Sequence, residues 1–406
     1  MNRIIYAGSV GTLGKKASVS GCGEGVYTIY LNDLSFVKYE AVPSENAGII
    51  CMSKDRKYVY AANETRDFGG LNGDGGGISA YRIDDEGKLV FINQSLSFGS
   101  RSSYVSATDD NRYLLVSNHG SHSSVVCRYV PDGKGGFVLK RGFDDSSVAL
   151  FSLAVDGAIE KLLDLKVFEG HGYWCHGGGQ STSHLHSVKV RGNLVFACNR
   201  GTDEIEILKI ENDRLVTLNR FHTRKGYAPR HCVFHPYKNI LYACNENYPS
   251  LSVFSFDTEG NIKEMQLQGT MDQKYYDDHP LPVFTKDCAA REEKNTSAMG
   301  DRTSYMPADI HITSDGRFLY VSNRHFSGNG NIACFRITEE GTTEYIMNRE
   351  VCGKDPRGFQ IMDDRYLICG ILDQNKVQIF PIDPDTGQLH EAVSAFDLPS
   401  PASFVL

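Results

Sequence analysis

A strand–turn–strand unit recurs along the chain, a partial copy opens it, and an apolar strand with no partner of its own ends it. Together these predict an all-β fold: a seven-bladed β-propeller with four antiparallel strands per blade, the first blade closed by the C-terminal strand. The unit reads PRHCVFHPYKNILYACN at 229–245 and returns as PADIHITSDGRFLYVSN at 307–323, SHLHSVKVRGNLVFACN at 183–199, SYVSATDDNRYLLVSN at 103–118 and AGIICMSKDRKYVYAAN at 47–63. A last copy, PRGFQIMDDRYLICG at 356–370, lacks the closing Asn. In each, apolar and polar residues alternate on either side of a turn rich in Asp, Gly, Lys or Asn, the pattern of two paired strands.

The elements follow in order. Blade 1 takes 3–42 plus 401–406: RIIYAGS, GVYTIYL and FVKYEA supply three strands, and PASFVL enters as the innermost. Pairing these closes the ring and hides two sheet edges that would otherwise invite association. Blade 2 spans 46–98, its outer strands being ISAYRID and LVFINQSL. Blade 3 spans 102–169 around an enlarged loop at 120–146, and blade 4 spans 183–220. Blade 5 spans 228–270, ending in LSVFSFD and IKEMQLQ; blade 6 spans 306–349; blade 7 spans 355–397, ending in VQIFPID and LHEAVSAF. The unit is roughly 45 residues, as expected of a blade, so 1–406 reads as one domain.

Composition agrees. Forty Gly, 21 Tyr and 21 Phe suit a turn-rich β protein, and a single Trp excludes a repeat that spends one per blade. The net charge of −8 excludes a general nucleic-acid surface. Eleven Cys is an odd number without metal-like spacing. They read as reduced thiols acting as small apolar residues, in keeping with a cytoplasmic protein. MNRIIYAGS is too short for a secretory h-region, and no run approaches a membrane span, so no membrane partner is expected.

In a propeller blade the innermost strand leaves one face of the disc and the second strand returns to it. The start of the first and the end of the second therefore share one mouth of the central channel. That rule gathers His184, His186, Arg230, Asp309 and Arg357 from strand starts, and Glu64, His119, Arg200, Glu246 and Arg324 from strand ends. The long segments 65–77, 120–146, 170–182 and 271–305 belong to connections at the same face. Loops on a rigid scaffold are where binding usually resides. Arginines crowded on one rim of an acidic protein need an anion, so a carboxylate- or phosphate-bearing ligand is expected. A neighbouring Glu or His would act as general base or acid. His176, in HGYWCHGGG at 171–179, is a candidate substrate contact. His184 and His186 are two apart and expected on one strand face; no third ligand accompanies them, so no metal is expected. His231 and His311 are expected to face away and pack, and His235 to sit in a turn. Arg230 and Glu246 are expected on the rim, outside the sheet core.

The stretches SHLHSV, APRHCVFHP with LYACNE, PADIHITSDGRFLYVSNR, DPRGF and PSPASFVL resemble the seven-bladed lactonase family, which groups propeller-type 6-phosphogluconolactonases with fungal 3-carboxy-cis,cis-muconate cyclase. The resemblance implies hydrolysis of an anionic small-molecule lactone without metal or organic cofactor, by a monomer or weak homo-oligomer. The likeness to the cyclase implicates His184 or His186 with Arg230, Glu246 and Arg324 as the catalytic set. Arg200, Asp309, Arg357 and His176 are then expected to bind substrate. Two alternatives stand beside hydrolysis: carboxy-muconate lactonisation with the same residues, and a non-catalytic propeller that binds a ligand or protein.

Overall fold

The structure is a computed structural model that describes residues 2–11, 21–70, 73–121, 124–174, 179–281, 283 and 305–406. Seven four-stranded antiparallel sheets form the blades of a propeller. Within a blade the strands run from the channel outward in chain order, as in blade 5: Pro229–Phe234, Ile240–Asn245, Ser250–Phe256 and Ile262–Gly269. Blade 1 alone is assembled from both ends of the sequence. Pro401–Val405 pairs with Asn2–Ser9 in the register Tyr6↔Val405, Ala7↔Phe404 and Gly8↔Ser403.

In blades 2 to 7 the second strand is the most buried. Leu194–Asn199 and Ile240–Asn245 are buried at every position, because both sheet faces lie against neighbouring blades. The cores sit between blades: Tyr242, Leu251 and Val253 of blade 5 pack on Leu319, Val321 and Phe335 of blade 6. The repeated Asn has a structural task. Asn63 Nδ2 donates to the carbonyl of Glu45, Asn118 Nδ2 to that of Ser97 and Asn323 Nδ2 to that of Thr270, each tying a strand end to the connection entering its own blade. A second repeated device latches blades together. The hydroxyls of Tyr6, Tyr60, Tyr242 and Tyr320 donate to the carbonyls of Gly87, Gly157, Gly341 and Gly387 in a hairpin turn of the next blade.

Every innermost strand carries a β-bulge near its start, one residue in, or two in blade 6. In blade 4 the pairs Leu185↔Asn199 and Ser187↔Cys198 leave His186 over. In blade 5 Arg230 and His231 together face the single Cys244 between Pro229↔Asn245 and Cys232↔Ala243. Equivalent surplus residues are Gly48, Ser103, Ala308, Arg357 and Ala402. Such a bulge interrupts alternation and re-aims side chains.

Segment 120–146 contains more than a loop. Ser124–Pro131 and Phe137–Phe143 form a two-stranded ribbon of their own, between the second and third strands of blade 3. A six-residue helix, Gln273–Asp278, begins the long connection into blade 6 and is capped by Asp272. Among the described residues no helix is long and apolar enough to cross a membrane.

Candidate active site

Two rings of positions meet at one mouth of the channel: the bulge residues and the residues that follow the second strands. They bring Arg200, Arg230 and Arg324, from three consecutive blades, onto Glu246. Arg200 Nε lies 2.7 Å from Glu246 Oε2, Arg230 Nε 3.5 Å from the same oxygen, and Arg324 Nη2 3.0 Å from Oε1. All four side chains are buried. The buried Nε–H groups of Arg200 and Arg230 stand beside the carboxylate without hydrogen-bond geometry to any partner among the described residues. Three guanidinium groups against one carboxylate leave two positive charges uncompensated within the cluster.

Burial alone would push the Glu246 carboxyl up, but Arg200, Arg324 and Arg230 outweigh it and hold the group well below the usual carboxylate range. A carboxylate so stabilised is a weak proton acceptor. Glu246, expected as a rim residue and candidate base, is therefore an enclosed counter-ion. Burial, reinforced by Arg324 and opposed by Glu246, presses Arg230 down to about 9, which leaves it cationic at neutral pH.

The histidines separate. His184 is fully buried; its ring stacks on His119 at 4.5 Å between centroids, and its Nδ1 stands 3.0 Å from the His119 carbonyl oxygen. His186 is half-buried at the bulge, edge-on to His119 at 5.5 Å and 5.1 Å from the His231 ring. The two are thus not a pair on one strand face: His184 precedes the strand Leu185–Arg191 and packs toward blade 3, while the bulge turns His186 toward the arginines. Burial, then Arg230, His231, His119 and Arg200, hold His186 well below the ordinary imidazole value, so it is neutral at pH 7. Its Nδ1 is buried with no hydrogen-bond partner among the described residues.

His231 and His311 depart from expectation. Both contact Asp309: His231 Nδ1 at 2.9 Å from Oδ1 and His311 Nε2 at 3.1 Å from Oδ2. For His231 the cause is the bulge, which cancels the alternation that would turn it from Arg230. His311 is two residues beyond Asp309 in one strand and so shares its face. Burial would raise Asp309, but His311 and His231 hold it well below the carboxylate range. With Ile310 and Phe359 N–H groups also donating to it, Asp309 has its oxygens occupied by protein rather than open to substrate. Deeper in the channel wall, Tyr104 packs edge-on against His231 at 5.1 Å, and Lys189 Nζ lies 5.1 Å from the Tyr104 ring centroid. Neither was marked by the sequence: Lys189 follows His186 along the inner strand of blade 4, Tyr104 lies on the inner strand of blade 3, and only the three-dimensional ring joins them.

Arg357, the bulge residue of blade 7, stands 3.9 Å from Glu64 at the end of the second strand of blade 2. His235 lies in the turn after Phe234, where its Nδ1 accepts the N–H groups of Tyr237 and Lys238. His176 lies outside the described residues. Among the described residues no group of three or more His, Cys, Asp or Glu is arranged to hold a metal ion. Chemically, the mouth offers an anion site of buried guanidinium groups beside a neutral imidazole.

A family model described as "Lactonase, 7-bladed beta-propeller" matches residues 6–406. A 6-phosphogluconolactonase of Bacillus subtilis is 25% identical over 98% of this chain and 97% of its own length. One of Formosa agariphila is 26% identical over 85% of this chain and 84% of its own. Among solved structures, a periplasmic gluconolactonase of Pseudomonas aeruginosa superposes with a TM-score of 0.76 at 20% identity, covering 100% of this chain and 99% of that one; at such identity the likeness speaks for the fold. With a family model that runs nearly from end to end, the chain belongs to the seven-bladed β-propeller lactonase family.

Proposed function

We propose that this protein hydrolyses a sugar-acid lactone that bears an anionic group, in the manner of 6-phosphogluconolactone, without a metal ion. The observation that carries the reading is the convergence of Arg200, Arg230 and Arg324 on the single Glu246 at the channel mouth. Such a cluster favours an added anion, and buried guanidinium donors grip phosphate or carboxylate through charge-assisted hydrogen bonds. The relatives named 6-phosphogluconolactonase support the same substrate class.

In this reading an arginine faces the lactone carbonyl, where negative charge develops on oxygen as water adds. His186, neutral and adjacent, takes the proton from that water. The ring C–O bond of the tetrahedral intermediate then breaks, and the departing alkoxide takes back the proton that His186 had accepted, giving the open hydroxy acid and restoring the neutral imidazole. An anionic substrate also strengthens the base. Arg230 and Arg200 help depress His186, so partial neutralisation of their charge raises its proton affinity at the moment it is needed.

A panel of sugar lactones, each with and without a 6-phosphate, tests the reading. Turnover of a phosphorylated or carboxylated member is expected, unaffected by chelator. His186→Ala should lower kcat by about 10²–10⁴-fold, the range for loss of a general base, and Arg230→Ala should lower kcat/KM. His235→Ala, in its remote turn, should be near neutral. Full turnover by His186→Ala would remove the histidine from the mechanism, and a panel without any hydrolysed member would overturn the assignment.

A further inference from the structure

Arg230 is held from behind. Its Nη1 donates to the carbonyl of Ala308 and stands 3.1 Å from His231 Nε2. His231 Nδ1 is 2.9 Å from Asp309 Oδ1, while Asp309 Oδ2 is met by His311 Nε2 at 3.1 Å and by the Phe359 N–H at 3.3 Å. The chain of contacts crosses three blades: Arg230 and His231 from blade 5, Asp309 and His311 from blade 6, Phe359 from blade 7. The polarity of the chain is fixed at both ends. A guanidinium only donates hydrogen bonds, and an ionised carboxylate only accepts them. The imidazole between them must therefore be neutral, carrying its proton on Nδ1 toward Asp309 and offering the Nε2 lone pair to Arg230.

We propose that Asp309 and His231 form a positioning relay that fixes the aim of the Arg230 guanidinium at the channel mouth. The inference rests on the reading of that mouth as an anion-binding lactonase site, and it gives Asp309 and His231 a role through Arg230 instead of through substrate. Three features support it. Arg230 is 2% exposed, so its side chain has no solvent-facing alternative. Its Nε–H is buried with no hydrogen-bond partner, and Glu246 is already met by Arg200 and Arg324, so Glu246 alone does not set the orientation of Arg230. The opposite tautomer would put an Nε2–H against the Arg230 Nη1–H, donor facing donor, and would turn the guanidinium away. Asp309 forbids that tautomer, as a buried carboxylate does for a catalytic imidazole in other enzymes.

The experiment compares His231→Leu, His231→Gln, Arg230→Ala and the double variant Arg230→Ala/His231→Leu, with side-chain ¹⁵N NMR of the wild-type histidines. A carboxamide can present its oxygen to Arg230 and its N–H to Asp309, so His231→Gln should keep kcat/KM within about tenfold of wild type. His231→Leu should lose about 10²-fold, the scale of a catalytic group displaced by an ångström. In the Arg230→Ala background the Leu change should add no further loss. NMR should show His231 as a single neutral Nδ1–H tautomer from pH 6 to 8, with its Nε2 resonance moving in Arg230→Ala. A multiplicative loss in the double variant, a Gln variant as poor as the Leu one, or an Nε2–H or doubly protonated His231 would each overturn the relay. If His231→Leu does not fold, the Gln variant and the wild-type spectrum still decide. Should no lactone be turned over, the functional reading fails while the tautomer and its response to Arg230→Ala still test the relay.

Discussion

At the scale of single residues, Glu246 governs both charge and stability. Removing one member of a buried ion pair typically costs about 3–5 kcal/mol, because the partner charges stay buried. Glu246→Gln should accordingly lower the melting temperature, and added phosphate, replacing the lost anion, should restore part of it. A melting temperature that neither falls nor responds to phosphate would show that the arginines do not depend on Glu246. Acid should destabilise the protein for related reasons. Burial, then Arg230, push His231 down to about 4, against a partial counter-effect from Asp309. The unfolded chain, with an imidazole near 6.5, therefore binds more protons than the folded one between these values. The contribution is complete above about 6.5 and is lost as pH falls toward 4, by at most about 1.4 kcal/mol per pH unit. Glu246 and Asp309, also depressed, extend the loss below the ordinary carboxylate range. Thermal melts should show lower stability at pH 5 than at pH 7, with a smaller difference in His231→Gln. Arg200, Arg230, Glu246 and Arg324 were legible in the sequence because the repeat marks where strands start and stop. His231 was not, because a bulge leaves no mark in the alternation that it breaks.

At the scale of elements, the recurring Asn and Tyr explain why the repeat shows through a divergent sequence. Asn63, Asn118 and Asn323 and the four Tyr each satisfy a backbone carbonyl at a joint, where an orphaned group would be costly. Tyr242→Phe leaves the Gly341 carbonyl without its hydroxyl partner and should cost about 1–3 kcal/mol, read as a shift in denaturant midpoint. Gly341 itself is constrained: its φ is +88°, and an added Cβ would fall 2.0 Å from Ile240 Cδ1. The ribbon at 124–143 was the element that the sequence hid. It lies outside the repeat, shows no period-two alternation in SVVCRYVP or FVLKRGF and lacks the Asn that ends a second strand, so only its length was conspicuous. Because it forms a sheet by itself and its strands pair with no blade strand, replacing it with a short Gly-rich link should leave the melting temperature nearly unchanged. A large fall would mean that the ribbon braces blade 3.

At the scale of the molecule, stability depends on one seam. Blade 1 is sewn from residues nearly a chain length apart, Tyr6 against Val405 and Ala7 against Phe404. Phe404 also packs with Ile5, Ile29 and Val377, bridging blades 1 and 7. Deleting 401–406 removes the inner strand of blade 1 and exposes the edge of Asn2–Ser9, so a markedly lower melting temperature and concentration-dependent association are expected. An unchanged, monodisperse product would show that the ring holds without the seam. Contacts of such long sequence separation also predict slow folding, since loop closure must precede the packing that rewards it.

The bulges have one more consequence, for how such a protein changes its chemistry over time. One backbone position is presented seven times around a single opening, each copy held by its own blade. Three copies hold His186, Arg230 and Arg357; the others hold Gly48, Ser103, Ala308 and Ala402. At Gly48 an added Cβ would meet, among the described residues, Val10 Cγ2 alone, at an ordinary contact of 3.8 Å, so a methyl group at least can enter without a clash there. If the mouth is the substrate site proposed above, exchanges at these seven places would change what it binds while the scaffold stays still.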